Sequence, residues 1–288
     1  MSSTKSGSRI VEFRGDGGLT LVGEEWNRKA ASTARHPTML MLHGGGQNRH
    51  SWKNTGQVLA DQGFHVIARD ARGHGDSDRA PNGVYTVEAL TRDVLNVLDQ
   101  IGRPVALIGA SMGGLTSILV AKLAGPRQVT QLVLVDVVPR IEQSGASRIH
   151  DFMVSHVHGF ETLEQAADAI AAYLPHRKRS KNLEGLKKNL RQREGRWFWH
   201  WDPAFLNPTN DDDPFVRVEQ LEQAAVELTI PILLIRGKLS DVVSSEGVRE
   251  FRAKVPAAEF VELSDAGHTA AGDDNDAFSE AVVAFVTR

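Results

Sequence analysis

The chain of 288 residues contains no cysteine. Disulfides and thiolate-bound metals are therefore excluded, and the composition fits a reducing compartment. An excess of either charge is also missing: 33 Lys and Arg stand against 36 Asp and Glu, a formal net charge of −3. That balance gives no reason to expect nucleic acid or a membrane surface as a partner. No apolar run approaches the length of a membrane span. Residues 1–9 are small and polar and lack the apolar stretch of a secretory leader. A frayed amino terminus on a soluble, cytoplasmic protein is the expectation. Internal repeats, low-complexity tracts and linkers between independent domains are absent as well.

The chain is long enough for one large domain with a sizeable core and an inserted subdomain. Strand-like segments open it at residues 10–14 and 19–26, joined by the turn signal Gly15-Asp16-Gly17-Gly18. Short apolar runs recur at 38–42, 64–68, 105–108, 132–135, 230–235 and 259–263. Helical patterns fall between most of them. Thr86 caps a helix with apolar positions Leu90, Val94, Leu95, Val97, Leu98 and Ile101, and Gly102 and Pro104 stop it. Further helices are expected over 52–62, 245–254 and 277–286. Strands alternating with helices imply an α/β fold with a mostly parallel sheet covered on both faces. In such sheets the chemistry sits at the carboxyl ends of the strands.

The alternation fails between about Val138 and Val226. This stretch shows helical pieces, including one opened by a Thr162…Gln165 capping box. A basic segment and the cluster Trp197-Phe198-Trp199-His200-Trp201 follow. The expected organisation is a core of residues 1–137 and 227–288 interrupted by a helical lid, 138–226.

Gly109-Ala110-Ser111-Met112-Gly113 lies between the run at 105–108 and a helical pattern. Glycines on both sides of Ser111 permit a tight strand-to-helix turn that exposes the hydroxyl at the sheet's edge. A serine nucleophile needs a base, and the base needs an orienting group. His268 follows the last predicted strand and is the expected base. Asp241, just past the run at 230–235, is the favoured orienter. Asp136, at the end of the run at 132–135, is its competitor. Asp265, Asp273 and Asp274 lie too near His268 in sequence and read as solvated. The loop His43-Gly44-Gly45-Gly46 follows another buried run, and its glycines let backbone N–H groups approach a substrate. The expected oxyanion donors are the N–H groups of Met112 and Gly45, with Gly46 as second choice. His43 is expected to brace the loop.

The order Ser111, Asp241, His268 with His-Gly-Gly-Gly upstream resembles the α/β-hydrolase fold superfamily. The turn at 70–77, Asp-Ala-Arg-Gly-His-Gly-Asp-Ser, is similar to that superfamily's turn after its fourth strand. The resemblance covers nearly the whole chain outside the lid and implies an eight-stranded, mostly parallel sheet. It is nearest to bacterial hydrolases with a helical cap: esterases, lactonases, carbon–carbon bond hydrolases and epoxide-hydrolase relatives. Ser111 replaces the elbow aspartate of true epoxide hydrolases and haloalkane dehalogenases, which argues against both. The expected activity is hydrolysis of a small, largely apolar carboxylic ester or lactone through an acyl-enzyme, with no cofactor. Carbon–carbon hydrolysis of a vinylogous diketone is the runner-up. A non-catalytic ligand receptor or a cofactor-free oxygenase is the alternative from another class.

Gly44 and Gly46 are candidates for the substrate-binding surface, as are Trp52 and Trp199. Trp52 reads equally as a pocket wall or a core residue. The cluster at 197–201 reads mainly as lid core with Trp199 or Trp201 facing the cleft. Arg177, Lys178, Arg179 and Lys181 read as a solvated face. His150, His156 and His158 lack a carboxylate partner, and no metal site is expected.

Overall fold

The computed structural model describes residues 7–33, 36–175, 179–206, 218–268 and 275–288. Along the chain come β1 (Arg9–Arg14), β2 (Thr20–Trp26), β3 (Thr38–Leu42), α1 (Lys53–Asp61), β4 (Val66–Arg69) and α2 (Val87–Ile101). Then follow β5 (Val105–Ala110), α3 (Met112–Ala124) and β6 (Val129–Val135). A cap comes next, with α4 (Gln143–Ser155), α5 (Leu163–Tyr173), β7 (Leu190–Arg193) and β8 (Arg196–Trp199). The chain returns through α6 (Val218–Val226), β9 (Ile232–Gly237), α7 (Ser245–Lys254), β10 (Glu259–Leu263) and α8 (Asn275–Val286).

Eight strands form one sheet in the order β1-β2-β4-β3-β5-β6-β9-β10. Only β1–β2 and β2–β4 pair antiparallel; the pairs from β4 to β10 are parallel. The apolar runs become strands because alternate side chains enter different cores. Leu40 and Leu42 of β3 pack with Leu107, Leu134, Val94 and Ile118 on one face. Met39 and Met41 pack with Ile108, Val135, Leu59 and Phe278 on the other. The termini of α2 follow the sequence signals. Thr86 Oγ1 accepts the Ala89 N–H at 3.3 Å, and Gly102 closes the helix in the left-handed region at φ 65°.

The insertion departs from an all-helical lid, because β7 and β8 form an antiparallel hairpin. Its two turn residues, Glu194 and Gly195, both have positive φ, the two-residue turn that suits a strand pair's twist. The strand pattern was hard to see because charged Arg191 and Arg193 dominate β7 and only Leu190 is fully buried there. The far end of the insertion is not lid either. Leu221, Ala224 and Ala225 of α6 are buried in the same cluster as Ile118 of α3. The cap keeps a small core of its own from Phe160, Ala166, Ala167, Leu186 and Leu190. Trp197 and Trp199 lie against it, partly buried. Of the basic run, Arg177 and Lys178 lie outside the described residues, as do Asp273 and Asp274. Arg179 pairs with Asp168. Among the described residues no helix is long and apolar enough to cross a membrane.

The start of α3 is wedged against β3. A methyl group on Gly113 would lie 2.3 Å from the Leu42 carbonyl oxygen and 2.7 Å from that of His43. Both obstacles are backbone atoms and cannot swing aside. Gly113→Ala is expected to lower Tm by roughly 2–12 °C, the range that follows from overpacking costs in a chain of this size. Thermal unfolding of the purified variant checks this, and an unchanged Tm would contradict the wedge.

Candidate active site

The carboxyl ends of β3, β5, β6, β9 and β10 carry the residues of interest. Ser111 sits between β5 and α3 at φ 47°, ψ −119°, a backbone that a non-glycine residue seldom adopts. Its N–H donates to the Val135 carbonyl at 3.1 Å, tying the turn to the next strand. A Cβ on Gly109 would meet the Gly113 carbonyl oxygen at 2.4 Å, so the elbow closes only with glycine there.

His268 follows β10, with its side chain 13% exposed. Its Nδ1 lies 2.7 Å from Asp136 Oδ2. The orienting carboxylate is therefore Asp136, and the expectation that Asp241 fills this position is corrected. Asp136 is fully buried and leaves β6 at a positive φ of 48°. Its Oδ1 accepts the Gly237 N–H at 3.0 Å, and its Oδ2 also accepts the Ser240 hydroxyl at 2.6 Å. With Nδ1 donating to a carboxylate, Nε2 of the neutral ring carries the lone pair.

Asp241 is engaged elsewhere. Its Oδ2 accepts Arg148 Nε from α4 at 2.6 Å, and Arg148 also donates to the Tyr173 carbonyl at 3.0 Å. Burial would raise the Asp241 pKa, yet the Arg148 hydrogen bond and charge hold it below the usual carboxylate value. The cap presses on the same loop: a Cβ on Gly145 would lie 2.3 Å from the Asp241 carbonyl oxygen. Asp241 thus joins cap to core.

The glycine loop divides its N–H groups. Gly44 donates to Gln47 Oε1 at 3.2 Å, and Gly46 donates to His74 Nε2 at 3.1 Å. Both N–H groups are engaged by side chains, which corrects Gly46 as the second-choice oxyanion donor. Gly44 still borders Ser111, since a Cβ on it would lie 3.3 Å from Ser111 Cβ. Among the described residues, the N–H groups of Gly45 and Met112 donate to no protein acceptor.

Three buried histidines support this loop. His43 Nε2 accepts the Ala71 N–H at 2.9 Å, so its Nδ1–H donates to the Gly44 carbonyl at 2.8 Å. His74 accepts from Gly46 and donates through Nδ1 to the Arg72 carbonyl at 3.0 Å. His200 of the cap accepts the Gly75 N–H at 2.7 Å. Burial drives the His43 pKa down to about 4 and that of His74 to about 3; burial also pushes His200 well below its usual value. All three rings are neutral near pH 7, as their accepting nitrogens require.

Trp52 is corrected to a core residue. It is 1% exposed, lies on the α1–α8 side of the sheet, and its ring sits 6.0 Å from that of Phe278. Trp199 packs edge-on against Phe160 inside the cap. The residues that do approach the glycine loop are Phe205, Met153 and Trp201. A Cβ on Gly45 would lie 3.2 Å from Phe205 Cζ, and one on Gly46 3.2 Å from Met153 Cε and 3.8 Å from Trp201 Nε1. Phe205 also stands edge-on to His74 at 4.9 Å. Sequence reasoning missed Phe205, Met153 and Arg148 because nothing local distinguishes them from other cap side chains. His74 was visible only as part of a glycine-rich turn. His156 stacks on Phe160, and among the described residues no cluster of three or more His, Asp or Glu is disposed to hold a metal.

Residues 37–274 match the alpha/beta hydrolase fold family. The chain belongs to this family. An esterase of Mycobacterium tuberculosis, Rv0045c, is 30% identical over 259 residues, covering 85% of this chain and 81% of that protein. The mouse sn-1-specific diacylglycerol lipase ABHD11 is 28% identical over 258 residues, 87% of this chain and 81% of its own. An alpha/beta hydrolase of Novosphingobium aromaticivorans superposes with a TM-score of 0.79 at 25% identity, covering 99% of this chain and 98% of that one. Ester hydrolysis is the general activity these relationships support for this α/β hydrolase.

The neutral histidines make a prediction about acid. Their pKa values are lower in the fold than the roughly 6.5 of an unfolded chain, so below that pH the unfolded state binds more protons. Stability is then full above about pH 6.5 and falls on acidification toward pH 4, by up to ~1.4 kcal/mol per pH unit for each ring. Tm should hold from pH 7.5 to about 6.5 and then drop steadily toward pH 4.5, and a flat profile would contradict buried neutral rings.

Proposed function

We propose that this protein is a serine hydrolase that cleaves a carboxylic ester or lactone of a small, largely apolar molecule. The observation that carries this reading is the His268–Asp136 hydrogen bond at the edge that holds the strained Ser111 turn. His268 Nε2 takes the Ser111 proton as Oγ attacks the carbonyl carbon, and Asp136 stabilises the imidazolium that results. The N–H groups of Met112 and Gly45 receive the negative charge that develops on the carbonyl oxygen. The protonated imidazole then gives its proton to the leaving alcohol. A water deprotonated by the same ring releases the acid. No cofactor takes part. The apolar preference is supported by Phe205 and Met153 beside Gly45 and Gly46. Esterase and lipase relatives support an ester in preference to a diketone. A cysteine-free chain is compatible with the cytoplasm, where we place the reaction.

Ser111→Ala should abolish turnover of an activated ester while leaving thermal unfolding unchanged, and a fluorophosphonate should add its mass to the Ser111 peptide of the wild type only. Wild-type rates in the variant would sink the assignment. A panel of esters, lactones and diketones of graded acyl size separates the bond types.

The two aspartates are separable. Asp136→Asn should lower kcat by roughly 10³–10⁴-fold, as expected when the base loses its orienting carboxylate. Asp241→Asn should stay within a few-fold of wild type in kcat, because it loosens a partly exposed cap–core pair. Steady-state kinetics of both variants decide between the two acids, and the reverse ranking would restore Asp241.

A further inference from the structure

Arg69, the last residue of β4, is 2% exposed and forms no salt bridge with a carboxylate among the described residues. Among the described residues its guanidinium makes one hydrogen bond, from Nη1 to the Asp70 carbonyl at 3.2 Å. Its buried Nε has no partner among the described residues. The two fully buried carboxylates nearby are both committed. Asp70 accepts the Arg49 guanidinium and the N–H groups of Arg49 and Asp76. Asp93 accepts Arg72 in a two-pronged pair, both bonds at 2.7 Å, and the Asp16 N–H. Three buried guanidiniums, Arg49, Arg69 and Arg72, therefore face two fully buried carboxylates. Asp76 and Asp16, which also lie near Arg49 and Arg72, are half in solvent. An unmatched buried charge opposes folding, and such a feature persists where function uses it.

The position of Arg69 indicates that use. It lines a cavity of about 10 Å³ together with His43, Leu90, Met112, Gly113 and Thr116, and no carboxylate contributes to that wall. Met112 is the first residue of α3, and its N–H is one of the two oxyanion donors assigned above. We propose that the unpaired charge of Arg69 supports the oxyanion from behind the loop. This rests on the serine-hydrolase reading. When Ser111 Oγ bonds to the carbonyl carbon, the C=O π pair moves to oxygen and the serine proton goes to His268 Nε2. The new negative charge meets a cation whose desolvation was completed on folding. Arg69 touches neither substrate nor reacting atoms. It acts through its field in an apolar wall, where a charge is poorly screened.

Arg69→Met keeps the unbranched stem as far as the position of Nε and removes the charge. The expected result is a loss in kcat of about ten-fold with KM within two-fold, since the charge matters only once the oxyanion forms. Affinity for an alkyl boronic acid, which forms a tetrahedral anionic adduct on the serine, should fall by a similar factor. Tm should be unchanged or higher, because the fold loses an unmatched charge. Arg69→Lys should restore boronate affinity to within about three-fold of wild type. Equal boronate affinity in wild type and Arg69→Met would overturn the proposal, as would a loss of activity that tracks a lower Tm and is not rescued by lysine. If Arg69→Met does not fold, Arg69→Gln against Arg69→Lys makes the same comparison. Fluorophosphonate labelling of the wild type separates the two levels. Labelled wild type with no boronate difference removes only Arg69, whereas unlabelled wild type removes the Ser111 reading and the Arg69 role with it.

Discussion

The Asp136 carboxylate ties together three loops that lie far apart in sequence. One oxygen accepts the Gly237 N–H at the end of β9, and the other accepts the Ser240 hydroxyl and His268 Nδ1. The loops after β6, β9 and β10 are thus pinned by one fully buried anion. Its position depends on strand register, since Val135 pairs with Ile235 and brings Asp136 beside the start of the β9 loop. The loop from β9 is tied in turn to that of β10 through Lys238 to Leu263 and Leu239 to Ala266. A buried carboxylate with three donors is satisfied, and the imidazole it holds has one tautomer and one direction.

Around that anchor neutral imidazole rings hold the glycine loop. His43 and His74 both accept backbone N–H groups, which a protonated ring could not do. His74 occupies the Gly46 N–H, while the Gly45 N–H donates to no protein acceptor among the described residues. The cap is fastened to the same place. His200 takes the Gly75 N–H, the Asp202 N–H donates to the Gly73 carbonyl, and Tyr85 donates to Asp202 Oδ2 at 2.6 Å. Cap and glycine loop therefore share supports, so the cap's placement and the donors' orientation are mechanically linked.

Much of the scaffold was legible in the sequence because its causes are local. Continuous apolar runs such as 38–42, buried on both faces, become strands whichever fold they join. Thr86 and Gly102 bound α2 through contacts within a few residues. The glycines around Ser111 answer to close contacts that any such elbow imposes. The cap hairpin was hidden because its strands are four residues long and β7 carries two arginines, and α6 differs from cap only in its packing against α3. Trp52 could have faced either side of the sheet, since a single aromatic after a glycine loop has no periodic pattern to decide it.

The amino-acid sequence by itself determined the succession of the eight strands in the main sheet, the turn at Ser111 and the position of His268 after the last strand, because each rests on short-range pattern and sterics. Tertiary structure decided which aspartate meets that histidine. Both candidates follow apolar strands and are equivalent in local chemistry. The choice comes from a contact across 132 residues of chain, and from Arg148 of the cap, which neutralises Asp241 before it can serve.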